Sequence, residues 1–183
     1  MVISVGMPAI SRVTYQRLNS TTRKFVGLTR TIKDDAILLN TIHRLVIDLD
    51  HQTYWVEQQK QFQLLSAEPP DPKKSNVKKK GSKSDSASSD VDPATNFQPD
   101  QKFSKEPIPF PDGVAVLGVL TERALFKQGV AYVNFFPNGY NDPAIIYLIR
   151  SGSQSFDGYS LVLRPVSGLI DIKRSYVQTL DGQ

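Results

Sequence analysis

The sequence contains no cysteine and only two histidines, His43 and His51. The chain can therefore form no disulfide, no zinc–thiolate site and no cysteine nucleophile. Three motifs are also missing: G-x-S-x-G, the phosphate loop G-x-x-x-x-G-K-[ST], and a glycine-rich dinucleotide turn after a strand. These absences predict a protein that is not an enzyme and that holds no cofactor.

Long hydrophobic runs are missing as well. Residues 1–10 are apolar except for Ser4, but they include Gly6 and Pro8. Ten residues are too few to cross a bilayer, which takes about 20. We find neither the basic leader nor the A-x-A cleavage site of a secretory signal peptide, so no such peptide is predicted. Hydrophobic residues make up 39 % of the 183 residues, which is enough for the core of one domain.

The net charge of +4 is not spread evenly, because the excess lies in the N-terminal third. Residues 66–109 are rich in serine, proline and lysine and poor in large apolar residues. We therefore predict a disordered insertion there, between 1–65 (the helix and first hairpin) and 110–183 (the remaining strands of the same domain). Its inner stretch, residues 73–83, holds six lysines and no acid. That run fits a solvated linker better than a site for anionic partners.

Hydrophobic periodicity predicts one long helix over residues 9–42. The apolar residues recur at helical spacing and form one stripe: Leu18, Phe25, Leu28, Ile32, Ala36 and Leu39. Such a helix is roughly 48 Å long, whereas a strand of about six residues covers only some 20 Å. We therefore expect about half of the helix to project beyond the sheet on which the rest packs.

Strand patterns follow the helix. The predicted segments are 45–49, 53–58, 114–120, 130–136, 144–149, 159–163 and 169–174. We expect the strand at 144–149 to return from the turn Pro137-Asn138-Gly139 that ends its predecessor. One long helix followed by antiparallel strands predicts an α+β fold with the helix packed on antiparallel sheet.

The order of these segments resembles type IV pilin-like proteins. Phe135-Phe136-Pro137-Asn138-Gly139, the strand at 144–148, Tyr159-Ser160-Leu161-Val162-Leu163 and Pro165-Val166-Ser167-Gly168 make the resemblance more specific. In this order they look like the minor pseudopilin H family of type II secretion. That family shares its domain with FimT-like minor pilins. The resemblance covers about residues 1–65 and 110–175.

The resemblance implies a structural minor subunit of a pseudopilus, located at or near its tip. It implies a place at the bacterial inner membrane with this domain in the periplasm, anchored only through an N-terminal segment absent from this chain. Other pseudopilins would be partners, and secreted substrate proteins are a further partner class. The helix residues expected to pack against neighbouring subunits are Ile10, Val13, Leu18 and Phe25. Ile32, Ala36 and Leu39 are expected to pack on the subunit's own sheet.

The alternative that the family suggests is a DNA-binding minor pilin. Lys173 and Arg174, with Tyr176 close by, would contact phosphates. Phosphate-dominated binding typically draws on several contacts, and two cations supply few of them. Nucleic acid is therefore not the expected partner.

Two polar groups contain residue types that ligate metals. The first group comprises His43, Asp48, Asp50 and His51, and the second comprises Asn138, Asn141, Asp142 and Asp157. Imidazole with carboxylate could hold a divalent cation, and six to eight oxygens could hold calcium. A solvated hairpin turn and ordinary loop residues explain the same patterns, so we predict no metal site.

Overall fold

The computed structural model describes residues 8–59, 96–153, 155–167 and 169–180, with side chains from Thr14 onward. These residues form one helix and ten strands, which confirms the predicted α+β class. The elements are α1 (Pro8–Leu38), β1 (His43–Asp48), β2 (Thr53–Gln59), β3 (Phe97–Pro99), β4 (Ile108–Pro109), β5 (Val114–Thr121), β6 (Leu125–Phe126), β7 (Val130–Phe135), β8 (Ala144–Arg150), β9 (Gly158–Leu163) and β10 (Ile170–Lys173).

The strands form two antiparallel sheets. The first sheet has the order β3-β2-β1-β7, and β4 also pairs with β2. The second sheet has the order β10-β9-β8-β5-β6. The helix packs on both sheets, against β1 and β7 of the first and against β5, β8 and β9 of the second.

The helix ends at Leu38, four residues before the predicted limit at residue 42, and a residue in the left-handed backbone conformation follows it. Asn40 has a φ of 50°, and asparagine tolerates this conformation better than most residues do. The N–H of Thr41 donates to the carbonyl of Ala36 at 3.2 Å, and the N–H of Asn40 donates to Ile37 at 3.3 Å. This pair of bonds is the Schellman motif, which satisfies the last carbonyls of a helix.

The inner face of α1 forms the centre of the hydrophobic core. Leu18, Phe25 and Ile32 are fully buried at seven-residue intervals. The Phe25 ring lies 4.7 Å from the ring of Tyr54 and 5.4 Å from that of Phe110, centroid to centroid. Burial of each such side chain stabilises the fold by about 1.5–3 kcal/mol.

The expectation that half of the helix projects beyond the sheet is wrong. Tyr15 already contacts the fold, because its hydroxyl donates to the Asp157 carboxylate at 2.7 Å. The expectation assumed one sheet, whereas two sheets cover the inner face of the helix. Leu39 was also expected to pack on the sheet, but it lies beyond the end of the helix and is 53 % exposed. Ile32 and Ala36 are buried as predicted.

The expected hairpin between β7 and β8 does not form. β7 pairs with β1 in the first sheet, whereas β8 lies between β5 and β9 in the second. Residues 136–143 therefore carry the chain from one sheet to the other. Asp142 fixes this crossover, because its carboxylate accepts hydrogen bonds from the N–H of Asn134 at 3.1 Å and from the side-chain amide of Asn134 at 2.7 Å.

The last part of the predicted insertion belongs to the fold. β3 and β4 both pair with β2, so the predicted boundary at residue 110 is wrong for residues 96–109. The composition of residues 96–109 did not indicate this packing, because polar rather than apolar contacts hold the segment on the fold. Lys102 Nζ lies 2.6 Å from a carboxylate oxygen of buried Asp35, and an oxygen of Asp100 lies 3.3 Å from Nε2 of buried His43. Residues 66–95 of the predicted insertion, including the lysine run, lie outside the described residues.

An arginine on β1 contacts three other strands of the first sheet. The Arg44 guanidinium lies 3.9 Å from the ring centroid of Phe97 on β3 and 4.6 Å from that of Tyr132 on β7. Its Nε donates to the Glu57 carboxylate on β2 at 2.5 Å, and Glu57 also accepts a hydrogen bond from the Trp55 indole at 2.8 Å. The cation–π contact with Phe97 thus helps to attach the short strand β3 to the sheet, while the ion pair with Glu57 holds the guanidinium in place.

Residues 175–177, which follow β10, cover the face of the second sheet that is opposite to α1. Tyr147 stacks on Tyr176, with a centroid distance of 4.6 Å, and donates its hydroxyl to the carbonyl of Val177 at 2.6 Å. The Ser160 hydroxyl donates to the carbonyl of Ser175 at 2.7 Å. Burial raises the pKa of Tyr147 well above that of a free phenol. The strand β8 is consequently enclosed on both faces.

We predict opposite effects for two neighbouring substitutions in α1. Phe25→Ala should lower the free energy of unfolding by about 3–5 kcal/mol, because it leaves a cavity. Gly27→Ala should raise it by about 0.5–1 kcal/mol, since an added methyl group meets no atom within 4 Å. Urea unfolding measures both. A Phe25→Ala variant as stable as the parent would contradict the described core.

A second substitution tests whether residues 96–109 belong to the fold. Lys102→Met should lower the free energy of unfolding by about 1–3 kcal/mol, because it leaves the Asp35 carboxylate buried without its cation. The double variant Asp35→Asn/Lys102→Met should recover most of the loss. Exposed Lys105 provides the control. Equal unfolding curves for Lys102→Met and Lys105→Met would show that the segment is not held as described.

Candidate assembly surface of the helix

The outward face of α1 is polar from Gln16 to Asp34. Its exposed residues recur every three or four positions, opposite the buried stripe: Gln16, Arg17, Asn19, Ser20, Arg23, Lys24, Gly27, Arg30, Thr31 and Asp34. A helix with one apolar face packs that face on the fold and leaves the other to solvent or to a partner. The outward face is therefore the part of the helix that a neighbouring molecule can reach.

Two of the four residues predicted to contact partners are not accessible. Leu18 and Phe25 are 0 % and 1 % exposed, so the prediction that they pack against neighbouring subunits is wrong. They share the stripe of Ile32, and the periodicity that places them on one apolar face also places them in the core. Ile10 and Val13 belong to the helical backbone. Their side chains lie outside the described ones, and their role stays a prediction.

Polar contacts attach the first described turns of the helix to the second sheet. The Asp157 carboxylate accepts the hydrogen bond of Tyr15 at 2.7 Å and pairs with Arg150 at 2.8 Å. This hydrogen bond, together with burial, raises the pKa of Tyr15 above its usual value. One turn further along, the Tyr159 hydroxyl donates to the side-chain oxygen of Asn19 at 2.6 Å. The helix is thus fixed in orientation close to residues 10–13.

An exposed apolar patch lies at the other end of the helix. Ile37, Leu38 and Leu39 are 45 %, 78 % and 53 % exposed. The Ile37 side chain approaches Gly139, where an added Cβ would lie 3.5 Å from it. This patch was not among the predicted surfaces, although its signal is present in the sequence. Three consecutive aliphatic residues cannot all face the core from a helix with 3.6 residues per turn.

The two cations of the DNA-binding alternative lie at the end of the edge strand β10. Arg174 is exposed, and its guanidinium lies 5.9 Å from the ring centroid of Tyr159. Lys173 is half-buried and already has an interaction partner. Arg150 is paired with Asp157, and Arg164 with Asp171. Two of these four cations, Arg150 and Arg164, are therefore paired with carboxylates of the chain itself.

The side chains of the first group, His43, Asp48, Asp50 and His51, do not surround one common point. His43 is buried beside Asp100 at the start of β1, whereas Asp48 ends that strand. Asp48 accepts two hydrogen bonds from the backbone of the turn and pairs with Nδ1 of His51 at 2.8 Å. Over the described ranges, no three histidine or carboxylate side chains are placed to share a metal ion.

The calcium candidates are also divided between distant places. Asp157 binds Tyr15 near the beginning of the helix, while Gly139, within the loop of the other candidates, lies against Ile37 near its end. Asn138 and Asp142 accept hydrogen bonds from the loop and from β7. These side chains stabilise turns and do not form one cation site.

The pair formed by Asp48 and His51 in the turn between β1 and β2 gives a prediction about the pH dependence of stability. Hydrogen bonds from His51 lower the pKa of Asp48, and the Asp48 carboxylate raises the pKa of His51. The histidine contribution is complete below the unfolded-state pKa and is lost as the pH rises through the raised pKa. The aspartate contribution is lost as the pH falls through the lowered pKa. The pair should therefore stabilise the hairpin most between about pH 4 and 6.5.

Asp48→Asn should lower the pKa of His51 towards its ordinary value. An NMR titration of the His51 ring protons in both proteins measures this change directly. His43 provides an internal comparison within the same spectra. Equal His51 titration curves in the parent and the variant would show that the two side chains do not interact in solution.

The described residues contain no helix with both the length and the apolarity needed to cross a bilayer.

Neither protein-family profiles nor curated protein sequences match the chain. Solved structures do match it. One structure of EpsH, a minor pseudopilin from the type 2 secretion system of Vibrio cholerae, aligns with a TM-score of 0.54, covering 86 % of this chain and 97 % of EpsH. A second EpsH structure aligns with a TM-score of 0.57, covering 90 % and 98 %. The sequence identity is 9 % in both alignments.

The alignments span nearly all of the EpsH chain in each solved structure, so they concern the arrangement of helix and sheets rather than one hairpin. At this identity they show the fold alone. The chain has the pilin-like, pseudopilin H-like fold that its segment order resembles.

Proposed function

We propose that the protein is a structural minor subunit, a pseudopilin, of a type II secretion pseudopilus, and that it assembles with other pseudopilins through α1. The observation that carries the proposal is the shared fold with the minor pseudopilin EpsH, over 97–98 % of the EpsH chain in the two solved structures. Its place at or near the tip, at the inner membrane and in the periplasm, remains a prediction from the resemblance. So does the anchoring of the chain through a segment that precedes it, and so does a contact with secreted proteins.

The geometry of α1 supports a mechanical role. Its inner face is held in the core by large apolar side chains, and its flank is fixed by Tyr15 and Asn19. A helix held in this way acts as a rigid rod. A contact at residues 8–13 would therefore orient the whole domain.

A structural role also agrees with the use of the ionisable groups. Asp157, Asp142, Asp35 and Glu57 each bind a group of the chain itself. These carboxylates stabilise the helix, the crossover and the sheet. The proposal therefore assigns no chemical step to the protein.

We predict that Ile10→Asp/Val13→Asp prevents assembly and leaves the melting temperature of the isolated chain nearly unchanged. Burial of each large apolar side chain against a neighbouring helix contributes about 1.5–3 kcal/mol, which a carboxylate would remove. Thermal unfolding measures stability. Co-purification with the pilin-like proteins of the same organism, and secretion by the corresponding deletion strain, measure function.

Two control variants make the outcome specific. Val166→Asp/Leu169→Asp introduces the same charges at exposed apolar positions of the hairpin between β9 and β10, and it should assemble normally. Leu18→Asp should unfold the protein, since Leu18 is core. Normal assembly of the Ile10/Val13 variant, or equal loss in the hairpin control, would contradict assembly through the start of the helix.

A further inference from the structure

Three cations on the outward face of α1 form no ion pair with the described residues. Arg23, Lys24 and Arg30 are exposed, and none of the ion pairs formed by the described residues includes them. Asp34 is the only exposed carboxylate on α1 between Thr14 and Leu38. This surface is named here the basic face and carries the three exposed cations Arg23, Lys24 and Arg30.

The three cations flank a shallow trough. Arg23 and Arg30 are two turns apart, about 10 Å along the helix, on one side of the face. Lys24 lies on the other side, and small residues lie between them: Ser20, Gly27 and Thr31. The space above Gly27 is open, because a Cβ added there would meet no atom within 4 Å. A depression on the preceding turns ends about one turn before Gly27 and is lined by Gln16, Asn19, Ser20, Arg23 and Lys24.

We propose that the basic face docks an acidic helix of a neighbouring pilin-like subunit, one with carboxylates two turns apart. This inference rests on the proposed function and names the chemistry of the partner. Small residues in the trough allow a helix to approach closely, and the flanking cations match carboxylates along the approaching helix. Complementary charge of this kind steers association and fixes the register of the partner.

Two other anionic partners fit the basic face less well. A helix lying on a membrane inserts an apolar face into the lipid, but the apolar face of α1 is buried in the core. A duplex-binding protein typically neutralises more phosphates than three cations can contact. An acidic protein surface matches both the small number of charges and the absence of large apolar side chains between Gln16 and Asp34 on the outward face.

The full chain tests the proposal with a defined probe. The probe is a synthetic helical peptide with glutamates at seven-residue intervals on one face, and its twin has glutamine at those positions. Fluorescence anisotropy measures binding at 50 and 300 mM NaCl. We expect the glutamate peptide to bind at least tenfold more tightly than the glutamine peptide, and more weakly at the higher salt concentration.

Matched variants locate the binding surface. Arg23→Glu/Lys24→Glu/Arg30→Glu should weaken binding at least tenfold. Lys105→Glu/Arg123→Glu/Lys127→Glu makes the same change of net charge at exposed loop positions, and it should bind within about twofold of the parent. Melting curves should show that both variants are folded. Equal weakening in the two variants, or no preference for the glutamate peptide, would overturn the proposal.

Duplex DNA and vesicles containing anionic lipid are tested in the same assay. If either binds more tightly than the glutamate peptide and depends on the same three cations, the proposed class of partner is wrong. Assembly in cells separates this inference from the function on which it rests. If the basic-face variant assembles normally while Ile10→Asp/Val13→Asp does not, the docking inference fails and the pseudopilin role stands. If no variant affects assembly or secretion, both fail.

Discussion

Burial of one face of α1 between the two sheets is the interaction on which the rest of this structure depends. Leu18, Phe25 and Ile32 enter the core at seven-residue intervals, and strands from both sheets contact the helix. The chain passes between the sheets at residues 110–113, 127–129 and 136–143, and the buried face of the helix joins residues of both sheets in one hydrophobic core. The helix is therefore both the centre of the core and, through its other face, a large part of the outer surface.

Polar contacts complete what apolar burial begins. The pair Lys102–Asp35 and the neighbours Asp100 and His43 hold the returning segment against the end of the helix and the first sheet. The Arg44 guanidinium contacts the ring of Phe97 on the short strand β3 and the ring of Tyr132 on β7. A two-residue or three-residue strand supplies few backbone hydrogen bonds, so these side chains determine where it lies. Without them the chain after residue 95 would lack a defined return to the sheet.

The sequence predicted local structure better than it predicted the distribution of contacts. The seven strand segments and the helix were found because alternation and 3.6-residue periodicity are local properties. The division into two sheets was missed, since no local pattern says whether β8 pairs with β7 or with β5 and β9. The lack of information on tertiary contacts also explains why Leu18 and Phe25 were predicted to pack against a neighbouring subunit. Periodicity shows that residues share a face, but only the tertiary fold shows which face is covered.

The short strands β3, β4 and β6 escaped prediction for a related reason. They contain two or three residues each, too few for a periodic signal. Asp100 and Lys102 looked like members of a solvated linker because composition cannot distinguish a buried charge pair from an exposed one. The cations of the basic face can be read from the sequence, but only the fold shows that they form no ion pair with the described residues.

The central claim is that one face of α1 is core and the opposite face is left for a neighbouring subunit. Because the chain has no cysteine, single cysteines placed in turn at residues 14–36 can be tested for their rate of reaction with a water-soluble thiol reagent. In the isolated protein, the account predicts slow reaction at the buried stripe and fast reaction at the exposed positions, with a period of about 3.6 residues. In cells that assemble the pseudopilus, the exposed positions should become protected. Uniform reactivity along the helix, or unchanged exposure after assembly, would contradict the account.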